Sequence, residues 1–224
     1  MTSARVVKAQ FRSQVAARVR AWAREHGRRF PWRETRDPYQ VLIAELLLQR
    51  TPYWKAERAY RSLLEVAPTP ADLAAAPEAT IHAIVRPLGL ANRSRTLSAL
   101  GRALVQRHRG RVPRSVDSLR ALPGVGPYTA AAVCCFAFGK PATLVDGLTG
   151  RFYRRLLGLA ANGEAHADRA LWRAVSECQP TRPRTFHLAI IDLASLVCRF
   201  ERPRCSECPV AGLCAYASAH VAPS

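Results

Sequence analysis

The sequence predicts an all-α fold, on three observations. Apolar residues recur at helical spacing along almost the whole chain, no segment alternates cleanly with period two, and prolines fall between the periodic segments. Phe11, Val15, Val19 and Trp22 open the series at i, i+4, i+8 and i+11, one face of an amphipathic helix. Val41 to Leu48 is apolar on every side except at Glu45, which predicts a helix buried all round. Ile81, Ile84, Val85 and Leu88 form the next helical face, and Leu97, Leu100, Leu104 and Val105 the one after. Further helices are expected over about 115–122, 128–138, 146–158, 166–178 and 184–197. Pro31, Pro38, Pro52, Pro68, Pro70, Pro113, Pro123, Pro141 and Pro180 punctuate them, since proline lacks the N–H a helix interior needs. The composition shifts near 139–145, between two helices, and marks a candidate boundary. The last 20 residues, rich in Cys, Pro and Ala, read as a loop followed by a short tail.

Length and composition narrow the class. A chain of 224 residues buries a proper core in one domain or two small ones. An apolar content of 49% excludes a disordered basic tail. No apolar run approaches the roughly 18 residues of a membrane span, and MTSARVVKAQFRSQ has no secretory h-region. A cytoplasmic protein with no membrane partner is therefore expected. The net charge of +18 favours a polyanion, most simply nucleic acid. Of the 34 basic residues 31 are arginine, and the lysines are Lys8, Lys55 and Lys140. A coding bias towards Arg explains this, as does phosphate binding by guanidinium forks. The scarcity of lysine also limits Schiff-base chemistry.

Cys198, Cys205, Cys208 and Cys214 are spaced C-x6-C-x2-C-x5-C. Seven cysteines, an odd number, without a signal peptide argue against a disulfide framework. Zinc sites usually use two C-x2-C pairs, and only one close pair exists here. An iron–sulfur cluster ligated by all four thiolates fits better. Cys134, Cys135 and Cys178 lie on apolar helices and read as small core residues.

This cysteine loop resembles the signature of the endonuclease III superfamily of helix-hairpin-helix DNA glycosylases, and the resemblance covers about residues 15–216. It implies a [4Fe-4S] cluster on the four cysteines, structural rather than catalytic, with Arg199, Arg202 and Arg204 facing the DNA backbone. It implies a six-helix barrel with the hairpin over 30–140 and a discontinuous cluster domain of 1–29 and 141–224. The expected partner is double-stranded DNA carrying a mismatch or lesion, the expected state a monomer, and the expected place the nucleoid.

Residues 122–129 read LPGVGPYT. Gly124 and Gly126 permit a tight turn with amides pointing outward, and Pro127 suits the first turn of a following helix. Such a nest at a positive helix end holds a phosphate oxygen. An ordinary connector between two helices would look alike. The segment, Thr129 included, resembles the family's DNA-gripping hairpin.

Cleaving an N-glycosidic bond builds positive charge on the sugar and negative charge on the departing base. A site therefore wants a carboxylate at the sugar and an acid at the base. Asp146 in LVDGLTGRF resembles the family's essential Asp, and it also suits a plain helix N-cap. Glu45 is the one charge in VLIAELLLQ; a buried carboxylate holds its proton and can donate it, or it pairs with an Arg in the core. AELLLQRT and PWRETRDPY resemble MutY-type adenine glycosylases and thymine/uracil–guanine mismatch glycosylases, with Trp32 and Arg33 bordering the base pocket. Members that also cut the backbone carry Lys where this chain has Tyr128, which implies a monofunctional enzyme. Gln49 and Leu90 resemble residues that fill the hole left by a flipped base, and both also suit ordinary helix ends.

The match departs in two places. Leu148 stands where the adenine and thymine–guanine enzymes have Asn, and it cannot hydrogen-bond the Asp or a water. The 224 residues leave no room for the 8-oxoguanine-reading domain of full adenine glycosylases. Uracil or thymine opposite guanine is the leading expectation. Adenine opposite a lesion and an alkylated or hypermodified base follow, and a non-catalytic lesion-binding protein is the alternative of another class.

Overall fold

The computed structural model describes residues 2–89, 92–161, 163–180 and 183–220, with side chains from residue 9 onward. Among these residues every regular element is helical, and no helix is long and apolar enough to cross a membrane. The chain divides into two compact units, Arg29–Lys140 and a discontinuous one of Met1–Arg28 with Pro141–Ser224.

The discontinuous unit opens with α1 (Thr2–His26). The continuous unit follows with α2 (Pro31–Glu34), α3 (Pro38–Leu48), α4 (Tyr53–Val66), α5 (Pro70–Ala75), α6 (Glu78–Val85), α7 (Arg93–His108), α8 (Val116–Arg120) and α9 (Pro127–Phe136). The chain then returns to the first unit as α10 (Gly147–Leu157), α11 (Arg169–Glu177), α12 (Pro183–Leu196) and α13 (Ala215–His220).

In the continuous unit α3 is buried at Tyr39 and from Val41 to Leu47, as a helix apolar on nearly every side must be. Pro38 starts it, and Asp37 caps it by accepting the Gln40 N–H at 2.8 Å. Helices α4 and α9 pack on it. Thr69 and Asp72 form a reciprocal capping box that starts α5. Helix α5 lies close against α7, and Gly101 permits this: a Cβ there would stand 2.6 Å from the Ala74 nitrogen. The periodicity reading passes over α4 and α5. The face Ala56, Ala59, Tyr60 and Leu63 is nevertheless helical in spacing, hidden by its small residues. The expected tail is likewise helical over α13.

The discontinuous unit buries Val15 and Val19 of α1 with Phe152, Tyr153 and Leu156 of α10, Leu171 and Val175 of α11, and Phe186, Ile190 and Leu193 of α12. Asp192 of α12, 1% exposed, meets Arg28 just beyond α1. The Arg28 main-chain N–H and Nε donate to its two oxygens at 2.9 and 2.7 Å. A buried carboxylate held this way locks the entry of the chain to α12. His187, one turn earlier and 1% exposed, pairs through Nε2 with Gln179 Oε1 at 2.8 Å.

Burial pushes His187 down to about 4. Its folded value lies below its unfolded one, so the unfolded chain binds the proton first and stability falls as pH drops from about 6.5 towards 4. Between pH 7 and pH 5 this group alone removes about 2 kcal/mol. Urea denaturation at the two pH values checks it: the wild type should lose that much more than a His187→Leu variant.

Candidate active site

The hairpin joins α8 to α9. Gly124 sits at φ +76°, and an added Cβ would stand 2.5 Å from Thr96 Cγ2. Both the left-handed backbone and the close contact demand glycine there. Gly126 is different. It N-caps α9 with extended backbone, and a Cβ would meet nothing within 4 Å. Nothing inside the protein requires glycine at this position. What the bare carbon leaves open is access to the amides at the start of α9, where a helix attracts an anion. Pro127 occupies the first turn of that helix.

Gln49 caps the C-terminal end of α3. Its Nε2 donates to Gly124 O at 3.1 Å and to Thr129 Oγ1 at 3.3 Å. Glu45, Gln49, Gly124, Gly126, Tyr128 and Thr129 thus lie on two packed helices and the turn between α8 and α9. Glu45 is 9% exposed and Tyr128 half-buried. Trp32 is buried in an aromatic group, stacked on Phe30 at 4.9 Å and edge-on to Tyr60 at 5.5 Å. The Arg33 guanidinium lies 5.0 Å from the Phe30 ring centre. Leu90 lies outside the described residues.

Asp146 belongs to the discontinuous unit and N-caps α10. Its Oδ1 accepts from the Thr149 N–H and hydroxyl, both at 2.7 Å. Oδ2 takes no hydrogen bond from the described residues, and the side chain is half-buried. The cap thereby uses one oxygen and leaves the other without a hydrogen bond from the described residues. Leu148, two residues on, packs against the core of this unit.

Cys198, Cys205, Cys208 and Cys214 line one cavity with Phe152, Val197 and other apolar groups. Burial pushes the Cys208 thiol up to about 11, against a main-chain hydrogen bond from Val210, and the neighbouring thiols add to the rise. Among the described residues no three His, Cys, Asp or Glu side chains converge on a point for a single metal ion. Four cysteines on one largely apolar cavity are a soft donor set of the kind that binds an iron–sulfur cluster, one thiolate to each iron. Arg199, Arg202 and Arg204 are exposed on the same loop.

Two arginines of α10 brace that loop, and sequence reading missed both. Arg151 donates from Nε to Cys198 O at 3.0 Å and from Nη2 to Ala194 O at 2.8 Å. Arg155 donates to the carbonyls of Arg199 and Phe200, approaches Cys198 Sγ at 3.6 Å and lies over Tyr216 at 4.7 Å. The available signal was their i, i+4 spacing on a helix facing the cysteines. Arg93 was missed too. It is 6% exposed at the start of α7, and its charge within an apolar face was the clue.

Residues 43–177 match the family described as the HhH-GPD superfamily of base excision DNA repair proteins. The chain belongs to that family. Among relatives of this HhH-GPD protein, a thymine/uracil-DNA glycosylase of Pyrobaculum aerophilum is 39% identical over 196 residues, 85% of each chain. A human adenine DNA glycosylase is 33% identical over 205 residues, 87% of this chain and 38% of the human one. The solved structure of a thermostable thymine-DNA glycosylase superposes with a TM-score of 0.88 at 33% identity, over 94% of this chain and 98% of that one. The HhH-GPD chain is a DNA glycosylase: it hydrolyses the bond between base and sugar in base excision repair.

The two hairpin glycines should separate folding from binding. Gly124→Ala is expected to lower stability by about 2 kcal/mol or more, from its left-handed backbone and the contact with Thr96. Gly126→Ala should stay within about 1 kcal/mol of wild type and weaken duplex DNA binding several-fold, because its methyl group screens the α9 amides. Denaturant melts and a fluorescence-anisotropy titration measure the pair.

Proposed function

We propose that this glycosylase removes uracil or thymine opposite guanine by hydrolysis and leaves the strand intact. One observation carries the substrate choice: similarity to the thymine/uracil relative runs along 85% of both chains. The human adenine relative is less similar, at 33% identity against 39%.

The chemistry follows from the side chains. As the glycosidic bond lengthens, positive charge grows on the sugar, and the Oδ2 of Asp146 stabilises it or orients the attacking water. The N-cap hydrogen bonds keep that carboxylate from turning. Glu45, buried on α3, holds or protonates the departing base, and Trp32 and Arg33 border its pocket. Leu148 is spent on packing and leaves the water to Asp146 alone. The hairpin glycines, Thr129 and the arginines of the cysteine loop grip the backbone, while Gln49 and Leu90 occupy the gap in the stack.

Tyr128 offers no amine to form a Schiff base. Lys140 is tied to Arg114 O at 2.7 Å, and Lys55 lies over the Trp54 ring at 5.2 Å. Among the described residues strand cleavage therefore lacks a lysine nucleophile. Cys198, Cys205, Cys208 and Cys214 would hold a [4Fe-4S] cluster, which would supply a cross-link fixing the Arg-bearing loop and no step of base removal.

Duplexes containing U·G, T·G, A·G and A·8-oxoguanine, treated with hot alkali after incubation, test the reading. Cleavage is expected at U·G and T·G, only after alkali, and Asp146→Asn should reduce it on the order of 10³-fold. Binding without cleavage of any duplex would point instead to a non-catalytic lesion-binding protein. Strand breaks trapped by borohydride without alkali would overturn the role given to Tyr128. Iron analysis of the purified protein should give about four irons per chain with absorbance near 400 nm. Zinc in their place would remove the cluster.

A further inference from the structure

Arg93 breaks two rules of helix design. It is the first residue of α7, where the macrodipole disfavours a cation, and Asn92 before it supplies no side-chain cap. It is also buried, and burial lowers the affinity of its guanidinium for the proton. Among the described residues no carboxylate pairs with it. Such a residue persists only where its hydrogen bonds offset both penalties.

Those bonds all reach one short segment. Nη1 donates to Leu47 O at 3.2 Å and to Thr51 Oγ1 at 3.0 Å, and Nη2 donates to Gln49 O at 2.8 Å. Two of the three acceptors are carbonyls left over at the end of α3, where partial negative charge gathers, and the third is the Thr51 hydroxyl. Thr51 closes the ring by donating from its hydroxyl to Gln49 O at 3.0 Å. Between them Arg50 is held at φ +52°, a left-handed conformation unusual for a side chain with a Cβ. The clamp therefore fixes the backbone of 47–51 in a shape it would not choose alone.

The Gln49 side chain is less constrained. A cavity of about 270 Å³ adjoins it, bordered by Leu46, Arg93, Thr96, Leu97 and Gly124. Among the described residues, its two hydrogen bonds to the hairpin, at 3.1 and 3.3 Å, are the only ones that aim its amide. Where that amide goes when those bonds break depends on where the backbone holds its Cα.

We propose that Arg93 is a positioning residue for base extrusion: its guanidinium fork fixes the end of α3 so that Gln49 enters the DNA stack in one geometry. This rests on the reading above, in which Gln49 fills the place of the flipped base. Lysine cannot serve equally, because an ammonium is a single point and the three acceptors are spread over a fork.

The test compares single-turnover excision of uracil from a U·G duplex with excision from single-stranded DNA, where no hole needs filling. Arg93→Met should slow the duplex reaction about 10- to 100-fold and the single-strand reaction less than about 3-fold. Arg93→Lys should fall between, and Thr51→Val should shift the same ratio by a few-fold while sparing the buried arginine. Duplex affinity should hardly change. Equal losses on both substrates, or no loss, would overturn the proposal. A duplex with 2-aminopurine at the target position reads extrusion without excision. If the wild type cuts neither substrate, the proposed activity fails; a fluorescence rise seen with wild type and lost in Arg93→Met still supports the clamp. An equal rise, or none with wild type, overturns it.

Discussion

The C-terminal turn of a helix carries carbonyls that nothing inside the helix can satisfy. In this protein the ends of α3 and α12 are closed by arginines from other helices, and each closed end lies beside candidate site residues of its own unit. Arg93 takes Leu47 O in the last turn of α3 and Gln49 O just past it, and Arg151 takes Ala194 O in the last turn of α12 and Cys198 O just past it. The opposite requirement, unsatisfied amides, is met at α10 by Asp146. At α9 the N-cap is Gly126, which has no side chain to meet it. The same electrostatics that finish the helices therefore decide where a carboxylate, an amide side chain and an anion site appear.

Guanidinium suits this work for a geometric reason. Its planar fork reaches two acceptors at once, while an ammonium offers a single centre. Arg93, Arg151 and Arg155 each span at least two acceptors in a neighbouring segment. Arg28 does the same for the two oxygens of Asp192, using its main-chain N–H and its Nε. The excess of arginine over lysine is thus partly architecture. Phosphate binding and coding bias need not account for all of it.

The fold was readable wherever large apolar residues marked a face, as in α1, α3, α7 and α12. It was unreadable where alanine did the burying: α4 turns Ala56 and Ala59 inward, and neither stands out in a periodicity count. The capping box Thr69–Asp72 was a local signal for α5 that spacing alone passes over. At the site, Glu45 declared itself as the one charge on an apolar helix, and it is buried. The four cysteines declared themselves by spacing, and they line one cavity. Asp146 had two readings in the sequence; the N-cap is present, made through Oδ1, and the catalytic role is the one proposed for Oδ2. Arg93, Arg151 and Arg155 carried only weak signals, a charge within an apolar face and an i, i+4 spacing, because their partners are main-chain carbonyls, which every residue carries.

The carbonyl-bound arginines also change how the net charge of +18 acts on a polyelectrolyte. When a protein binds a duplex, the entropy gained comes from cations released by the phosphates that protein charges neutralise. A guanidinium spent on Leu47, Cys198 or Phe200 displaces few of them. The number of ions released per complex is therefore set by the arginines still facing solvent, and it falls well short of the formal charge. The internal braces, being hydrogen bonds to neutral carbonyls, are largely indifferent to ionic strength. Added salt would then strip this protein from DNA while leaving the helix ends that shape its site intact.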